Sequence, residues 1–208
     1  MIDTIIDISH YQSHIDFDKV KADGIVAIIH KATEGETWKD MEYHDKKDKA
    51  KAKGFLWGTY HFSSGGSVTS QVDHFLDYAK PQADELIALD FEPSSSGPNM
   101  TLGQAQRFVE MIKTALGRYP VIYGGSMLRS AIGHNLDPIL ANCPLWYARY
   151  ASSPTGIPTQ VFAKGATLWQ YTDGMVGLDP HKVNGIGLCD RNKFNGTEAQ
   201  LRTQWPFT

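Results

Sequence analysis

The chain has 208 residues, of which 41% are hydrophobic, 21% charged and 11% aromatic. This composition excludes a disordered chain, whose few apolar residues cannot offset the entropy lost on folding. The sequence has no run of 18 apolar residues, which excludes a membrane-spanning helix, and its net charge of −3 argues against a nucleic-acid partner.

Short β-rich runs alternate with helical or loop segments along the chain. Several of these runs are apolar on both faces, which is typical of parallel strands that are covered on both sides. We predict eight strands, at residues 4–8, 25–31, 55–62, 86–92, 120–124, 145–149, 167–171 and 187–190.

The clearest predicted helix covers residues 102–116, because its apolar residues recur on one face. Thr101 and Gln104 predict a capping box at its start, and Gly117 predicts its end. Further helices are expected at residues 40–53, 68–79 and 198–204. The cationic run at 46–53 is interrupted by Asp48, and it predicts a solvated helix face rather than a nucleic-acid site.

Eight strands separated mainly by helices predict a modified (β/α) TIM-like barrel, formed by residues 1–208 as a single domain. The chain is short for eight full β/α units, so loops are expected to replace some of the helices. Residues 152–160 and 173–185 have no helical period and are the expected loops. An open doubly wound sheet is the alternative fold.

Four acidic residues stand at the predicted ends of strands. Asp7 closes the first strand, Asp90 and Glu92 close the fourth, and Asp190 closes the last. Active sites of such barrels lie at the C-terminal ends of the strands, and in a closed barrel Asp7 and Asp190 could meet. Asp90 and Glu92 are two residues apart on a predicted strand, so their side chains should share a face and raise each other's pKa.

Paired carboxylates suit glycoside hydrolysis, in which one group donates a proton and the other stabilises or attacks the anomeric carbon. They would equally suit Mg²⁺, although the eight histidines include no H-x-H or H-E-x-x-H motif that would support a metal site. Aromatic residues near the predicted strand ends could stack on sugar rings or pack within the barrel: Tyr60, Tyr123, Trp146, Tyr147, Trp169 and Tyr171.

Seven short segments, in order and spanning nearly the whole chain, resemble the glycoside hydrolase family 25 lysozymes, the Chalaropsis-type N-acetylmuramidases. They are D-I-S-H-Y-Q from Asp7, K-A-T-E-G from Lys31, G-T-Y-H-F from Gly58, L-D-F-E from Leu89, L-W-Y-A-R-Y from Leu145, L-W-Q-Y from Leu168 and D-R-N from Asp190. Any one of these segments is weak, but all seven in the same order form a specific pattern.

The resemblance implies an enzyme that cleaves the β-1,4 bond between N-acetylmuramic acid and N-acetylglucosamine in peptidoglycan, without a metal or organic cofactor. By position, Glu92 matches the general acid, Asp90 the carboxylate that stabilises the intermediate, and Asp7 and Asp190 the other acids of the cleft. We expect retention of configuration with participation of the substrate's N-acetyl group, a carboxylate nucleophile being the alternative. The residues expected to bind substrate are Lys31, Tyr60, Tyr123, Trp146, Trp169 and Gln170.

Other functions stay open, namely a non-catalytic glycan-binding barrel, a hydrolase of another N-acetylated glycan such as chitin, and a metal-dependent hydrolase. The N-terminus has no charged region followed by an apolar stretch and a cleavage site, so synthesis in the cytoplasm without a signal peptide is expected. We expect a monomer that acts on the cell wall, without a nucleic-acid partner or membrane insertion. It could be a phage endolysin, a secreted effector or a trimmed mature form.

Overall fold

Residues 1–94 and 97–207, which the computed structural model describes, form eleven strands and six α-helices. The strands are β1 (Ile2–Ile8), β2 (Ala27–Glu34), β3 (Trp38–Lys39), β4 (Leu56–Phe62), β5 (Leu86–Asp90), β6 (Val121–Gly124), β7 (Leu145–Ala148), β8 (Leu168–Thr172), β9 (Lys182–Val183), β10 (Gly187–Leu188) and β11 (Asp190–Phe194). The helices are α1 (Phe17–Ala22), α2 (Tyr43–Ala52), α3 (Val68–Ala79), α4 (Leu102–Leu116), α5 (Ser126–Ile132) and α6 (Glu198–Gln204), with a short 3₁₀ helix at Leu140–Asn142. Across these described ranges, no helix is long and apolar enough to cross a membrane.

Eight of the strands close into a barrel, in the order β1, β2, β4, β5, β6, β7, β8 and β11. Neighbours from β1 to β8 are parallel, whereas β11 lies between β8 and β1 and is antiparallel to both. The predicted modified (β/α) barrel is therefore confirmed. The open doubly wound sheet is excluded, because the pairing of β1 with β11 joins the two ends of this strand order into a closed ring.

Alternate side chains of each barrel strand enter two different apolar cores. Ile5 and Ile29 belong to the core inside the barrel, which also contains apolar residues of the C-terminal segment. Ile6 and Ile28 belong to the outer core, where Phe108 and other helix residues cover the strands. Inward-facing polar side chains near the strand ends consequently converge on one mouth of the barrel.

The helix α4 has the predicted bounds, and the predicted residues begin and end it. Thr101 accepts a hydrogen bond from the Gln104 N–H in a capping box, and Gly117 ends the helix with a φ of 74°. The sequence did not predict α1 and α5, because six and seven residues are too few to establish a helical period. Residues 149–167 join β7 to β8 without a helix, which confirms that loops replace some crossovers.

One lysine of the cationic run is buried, so the prediction of a solvated helix face was wrong at that position. Lys46 on α2 is 4% exposed. Its ammonium group donates to the Ser9 carbonyl at 2.8 Å and pairs with Glu42 at 2.5 Å. These two partners replace water at the buried charge and tie α2 to the loop that follows β1.

Candidate active site

Asp7 and Asp190 face each other at the mouth of the barrel, where they are directly paired in the register of β1 and β11. The prediction that Asp190 closes the last strand was wrong, because the predicted strand 187–190 is divided. Its first part is β10, which pairs with β9 in a separate hairpin, and Asp190 is the first residue of β11. Since β11 is antiparallel to its neighbours, its start lies beside their C-terminal ends, and the expected meeting of the two aspartates is confirmed.

Asp90 is the last residue of β5, and Glu92 follows on a bend outside the strand. The predicted strand 86–92 was therefore two residues too long. Asp90 is 6% exposed, and its Oδ1 has no hydrogen-bond partner among the residues that the structure describes. Burial and then the charge of Glu92 raise the pKa of Asp90 well above its ordinary range, while Lys31 acts in the opposite direction.

Glu92 has the character of a proton donor at the same mouth. It is only partly buried, unlike Asp90, so a substrate can reach it. Burial and then the charge of Asp7 raise the pKa of Glu92 to about 7. A carboxyl group with this pKa keeps its proton in weakly acidic solution and can give it to a leaving group.

Gln170 on β8 connects the acids to two tyrosines. Its amide nitrogen donates to both carboxylate oxygens of Asp7, each at 3.1 Å, and to Asp190 at 3.3 Å. Its amide oxygen accepts hydrogen bonds from Tyr123 and Tyr150, each at 2.7 Å. Asn192 completes the surroundings of Asp7, to which it donates at 2.7 Å. Gln170, which we predicted to bind substrate, lies beside the acids, and protein groups occupy both ends of its amide.

Lys31 on β2 is the cation of the site. Its ammonium group is 2.5 Å from Glu34 and lies over the rings of Phe62 and Trp38, at 4.5 and 4.8 Å. It borders a groove of about 520 Å³. The groove is lined by His10, Tyr11, Lys31, Glu34, Gly35, Glu36, Thr37, Trp38, Ser64, Gly65, Gly66, Ser94, Gly97 and Pro98.

The four aromatic residues that we expected to bind substrate lie on two different faces of the barrel strands. Tyr60, Tyr123 and Trp146 belong to the barrel interior, where the Tyr123 and Trp146 rings meet edge to face at 4.5 Å. Trp169 directly precedes Gln170 on β8 and therefore faces the opposite side of the strand. Its indole N–H donates to the Arg149 carbonyl, and Lys193 lies over its ring. The structure thus brings the first three residues to the acids but not Trp169.

Two polar residues of the site were missed by the sequence analysis. Asn192 lies beside Gln170 in the register of β11 and β8, and its amide oxygen accepts from the Trp146 indole at 2.6 Å. Its position two residues after Asp190 on a strand was the signal that could have found it. Tyr150 lies in the β7–β8 loop, where no periodic pattern indicates which way a side chain points. Within the described ranges, no three His, Cys, Asp or Glu side chains are grouped so as to hold a metal ion.

We expect Asp190→Asn to make the stability of the protein less dependent on pH. Burial and then the charge of Asp7 raise the pKa of Asp190 from an ordinary 3.8 to about 10. The folded chain therefore holds a proton that the unfolded chain releases, and the free energy of unfolding falls as the pH rises between about 4 and about 10. Asparagine removes this loss, so the variant should be more stable than the wild type at neutral and alkaline pH.

The measurement is the midpoint of thermal unfolding across that pH range, followed by circular dichroism. Asp77→Asn, at an exposed position of α3, is the control and should retain the slope of the wild type. Equal slopes for the wild type and Asp190→Asn would show that Asp190 ionises as easily in the folded chain as in the unfolded chain.

Known proteins of similar sequence and fold identify the family. The sequence model of glycosyl hydrolases family 25 matches residues 6–178. The chain is 30% identical to lysozyme M1 of Streptomyces globisporus, over 94% of the chain and 69% of that protein. It is 31% identical to an N,O-diacetylmuramidase of Chalaropsis sp, over 86% of the chain and 92% of that protein. The muramidase structure from Trichobolus zukalii superposes over 100% of both chains, with a TM-score of 0.82 and 28% identity. The chain therefore belongs to glycosyl hydrolases family 25.

Proposed function

We infer that the chain is a peptidoglycan hydrolase, a lysozyme that cleaves the β-1,4 bond between N-acetylmuramic acid and N-acetylglucosamine. Its family and its similarity to lysozymes and muramidases support this activity. The observation that carries the catalytic assignment is the pairing of two unlike carboxyl groups. Burial and the charge of Asp7 raise the pKa of the accessible Glu92 to about 7, while the neighbouring Asp90 is buried with one oxygen that has no partner among the described residues.

In the proposed reaction, Glu92 donates its proton to the glycosidic oxygen as the bond to the anomeric carbon breaks. Asp90 accepts the N–H of the substrate's acetamide through its free oxygen, and the acetamide oxygen attacks the anomeric carbon. Water then opens this cyclic intermediate, and its proton returns to Glu92, with net retention of configuration. Direct attack by Asp90 is the alternative route, and it would leave the acetamide unused.

Lys31 and Tyr60 are the residues that we propose to contact the glycan directly. Lys31 borders the groove beside the acids, and Tyr60 is partly exposed at an inward position of β4. Tyr123 and Trp146 are buried and act by supporting the polar groups of the site. Trp169 contacts Arg149 and Lys193 instead, which gives it a place in the framework of the barrel.

The test is digestion of purified peptidoglycan in the presence of a chelator, followed by borohydride reduction and mass spectrometry of the fragments. Reduced muramic acid ends are the expected product. Reduced glucosamine ends would show that the enzyme cleaves on the other side of muramic acid. Equal turnover of chitin would show that the cleft does not require muramic acid. Loss of activity with the chelator would favour a metal-dependent hydrolase. Binding of the polymer without any cleavage would favour the glycan-binding barrel.

The cell wall is the place of action that this activity implies. That the chain acts as a monomer, has no nucleic-acid partner and reaches the wall as an endolysin, an effector or a trimmed form stays a prediction. Light scattering of the purified protein would decide the first of these points.

A further inference from the structure

The amide of Gln170 is held in one orientation by five hydrogen bonds. Its oxygen accepts from the hydroxyl groups of Tyr123 and Tyr150, so its nitrogen must face the carboxyl groups of Asp7 and Asp190. The opposite orientation would place the amide oxygen against two acids. The side chain is 1% exposed, which leaves little room for a substrate contact. We propose that Gln170 is a positioning residue, which holds Asp7 and Asp190 together as one pair that shares a proton.

Asp7, one member of this pair, is held by a second amide besides that of Gln170. Asn192 holds Asp7 from β11 by a hydrogen bond of 2.7 Å, and the Trp146 indole fixes Asn192 in turn at 2.6 Å. The same Trp146 ring packs against Tyr123, one of the two hydroxyl donors to Gln170. Asp7 is therefore held by both Gln170 and Asn192, and Asp190 shares the Gln170 amide with it. A shared proton keeps these two facing carboxyl groups from being two negative charges side by side.

The inference rests on the proposed function, because the charge of the pair acts on Glu92. Burial first and the Asp7 charge second raise the Glu92 pKa, so one ionised partner in the pair helps Glu92 to keep its proton. The titratable groups that face the pair or its members are Asp90, Glu92, Asp173, Tyr60, Tyr123, Tyr150 and Cys189. The carboxyl groups among them oppose a second negative charge on the pair, while the tyrosines and Cys189 are neutral.

Gln170→Met tests the proposal because it keeps the approximate length of the side chain and removes both N–H donors. We expect kcat to fall by about 10- to 100-fold, with KM changed by less than about twofold. Asp7 without these donors holds a proton to higher pH and raises the Glu92 pKa less. The alkaline limb of the kcat profile should therefore move to lower pH by about half a unit. Tyr150→Phe, at a half-exposed loop position, should shift the limb in the same direction by less.

Gln71→Met is the matched control, since Gln71 is also buried and hydrogen-bonded, but to His61 and Ser64 rather than to the acids. It should lower stability and keep the wild-type pH profile. An unchanged profile in Gln170→Met and Tyr150→Phe would overturn the proposal, whatever the loss of rate. If Gln170→Met fails to fold, the pH profile of Tyr150→Phe and the infrared spectra described below still test the proposal.

A second readout does not depend on activity. Infrared spectra of protein labelled with ¹³C-carboxyl aspartate should show a protonated aspartate at neutral pH that is lost in Asp190→Asn. Its absence from the wild type would overturn the shared proton. A protein that shows this band but releases no fragments from peptidoglycan would contradict the proposed function and leave the pair intact.

Discussion

Glu92→Gln is expected to lower kcat on peptidoglycan by about 10²- to 10⁴-fold, the range of positioned acid catalysis. Glutamine has the shape of glutamic acid but has no proton to give to the glycosidic oxygen. Glu92 is partly exposed and lies on a bend after β5, so the fold should tolerate the change. Substrate binding should survive as well, because the barrel and the groove beside Lys31 are untouched.

The distinguishing measurement compares two substrates. A glycoside whose leaving group needs no proton should lose far less activity in Glu92→Gln than peptidoglycan does. The wild-type rate on peptidoglycan should fall as the pH rises through about 7, where Glu92 loses its proton, and the variant should lack this limb. Glu110→Gln, at an exposed position of α4, is the control and should behave as the wild type. Equal losses on both substrates would contradict a role as general acid.

Local patterns in the sequence predict those parts of the fold that depend on neighbours in the chain. The cap at Thr101 and the apolar period of α4 are examples, because both act within a few residues. The direction of β11 was not predictable in this way, since it follows from pairing with β1 and β8. The prediction nevertheless placed Asp190 at the correct mouth, because it contained two errors that cancel. It assumed a parallel strand that ends at Asp190, whereas β11 is antiparallel and begins there.

The chemistry of the site was predictable in residue type but less so in residue role. The four acids and Gln170 all lie in short segments that the sequence analysis singled out. Whether an amide contacts a sugar or holds two aspartates depends on partners such as Tyr150, which lies 20 residues away in the chain. Trp169 is adjacent to Gln170 on a strand, so the two side chains must face opposite sides. Strict use of this alternation would have removed Trp169 from the predicted site.

Asp90→Asn is the second variant with a large expected effect, and it should change activity and stability in opposite directions. Removing the charge that faces the developing positive centre, or that orients the acetamide, should lower kcat by about 10²- to 10³-fold. The same change should raise the free energy of unfolding by about 1 kcal/mol at neutral pH, because a neutral amide costs less to bury than a carboxyl group that is desolvated beside the charge of Glu92.

A structural aspartate should give the opposite result, and Asp137 provides that comparison. It is equally buried, but its carboxylate accepts hydrogen bonds from Gln106 and from the backbone N–H groups of Ile139 and Leu140. Asp137→Asn should therefore lower stability and leave kcat unchanged, as measured by denaturant unfolding and peptidoglycan turnover. If Asp90→Asn lost stability like Asp137→Asn, or kept near-normal turnover, Asp90 would be a structural group. Opposite signs in the two variants would instead show that its buried charge is maintained for the reaction at the expense of stability.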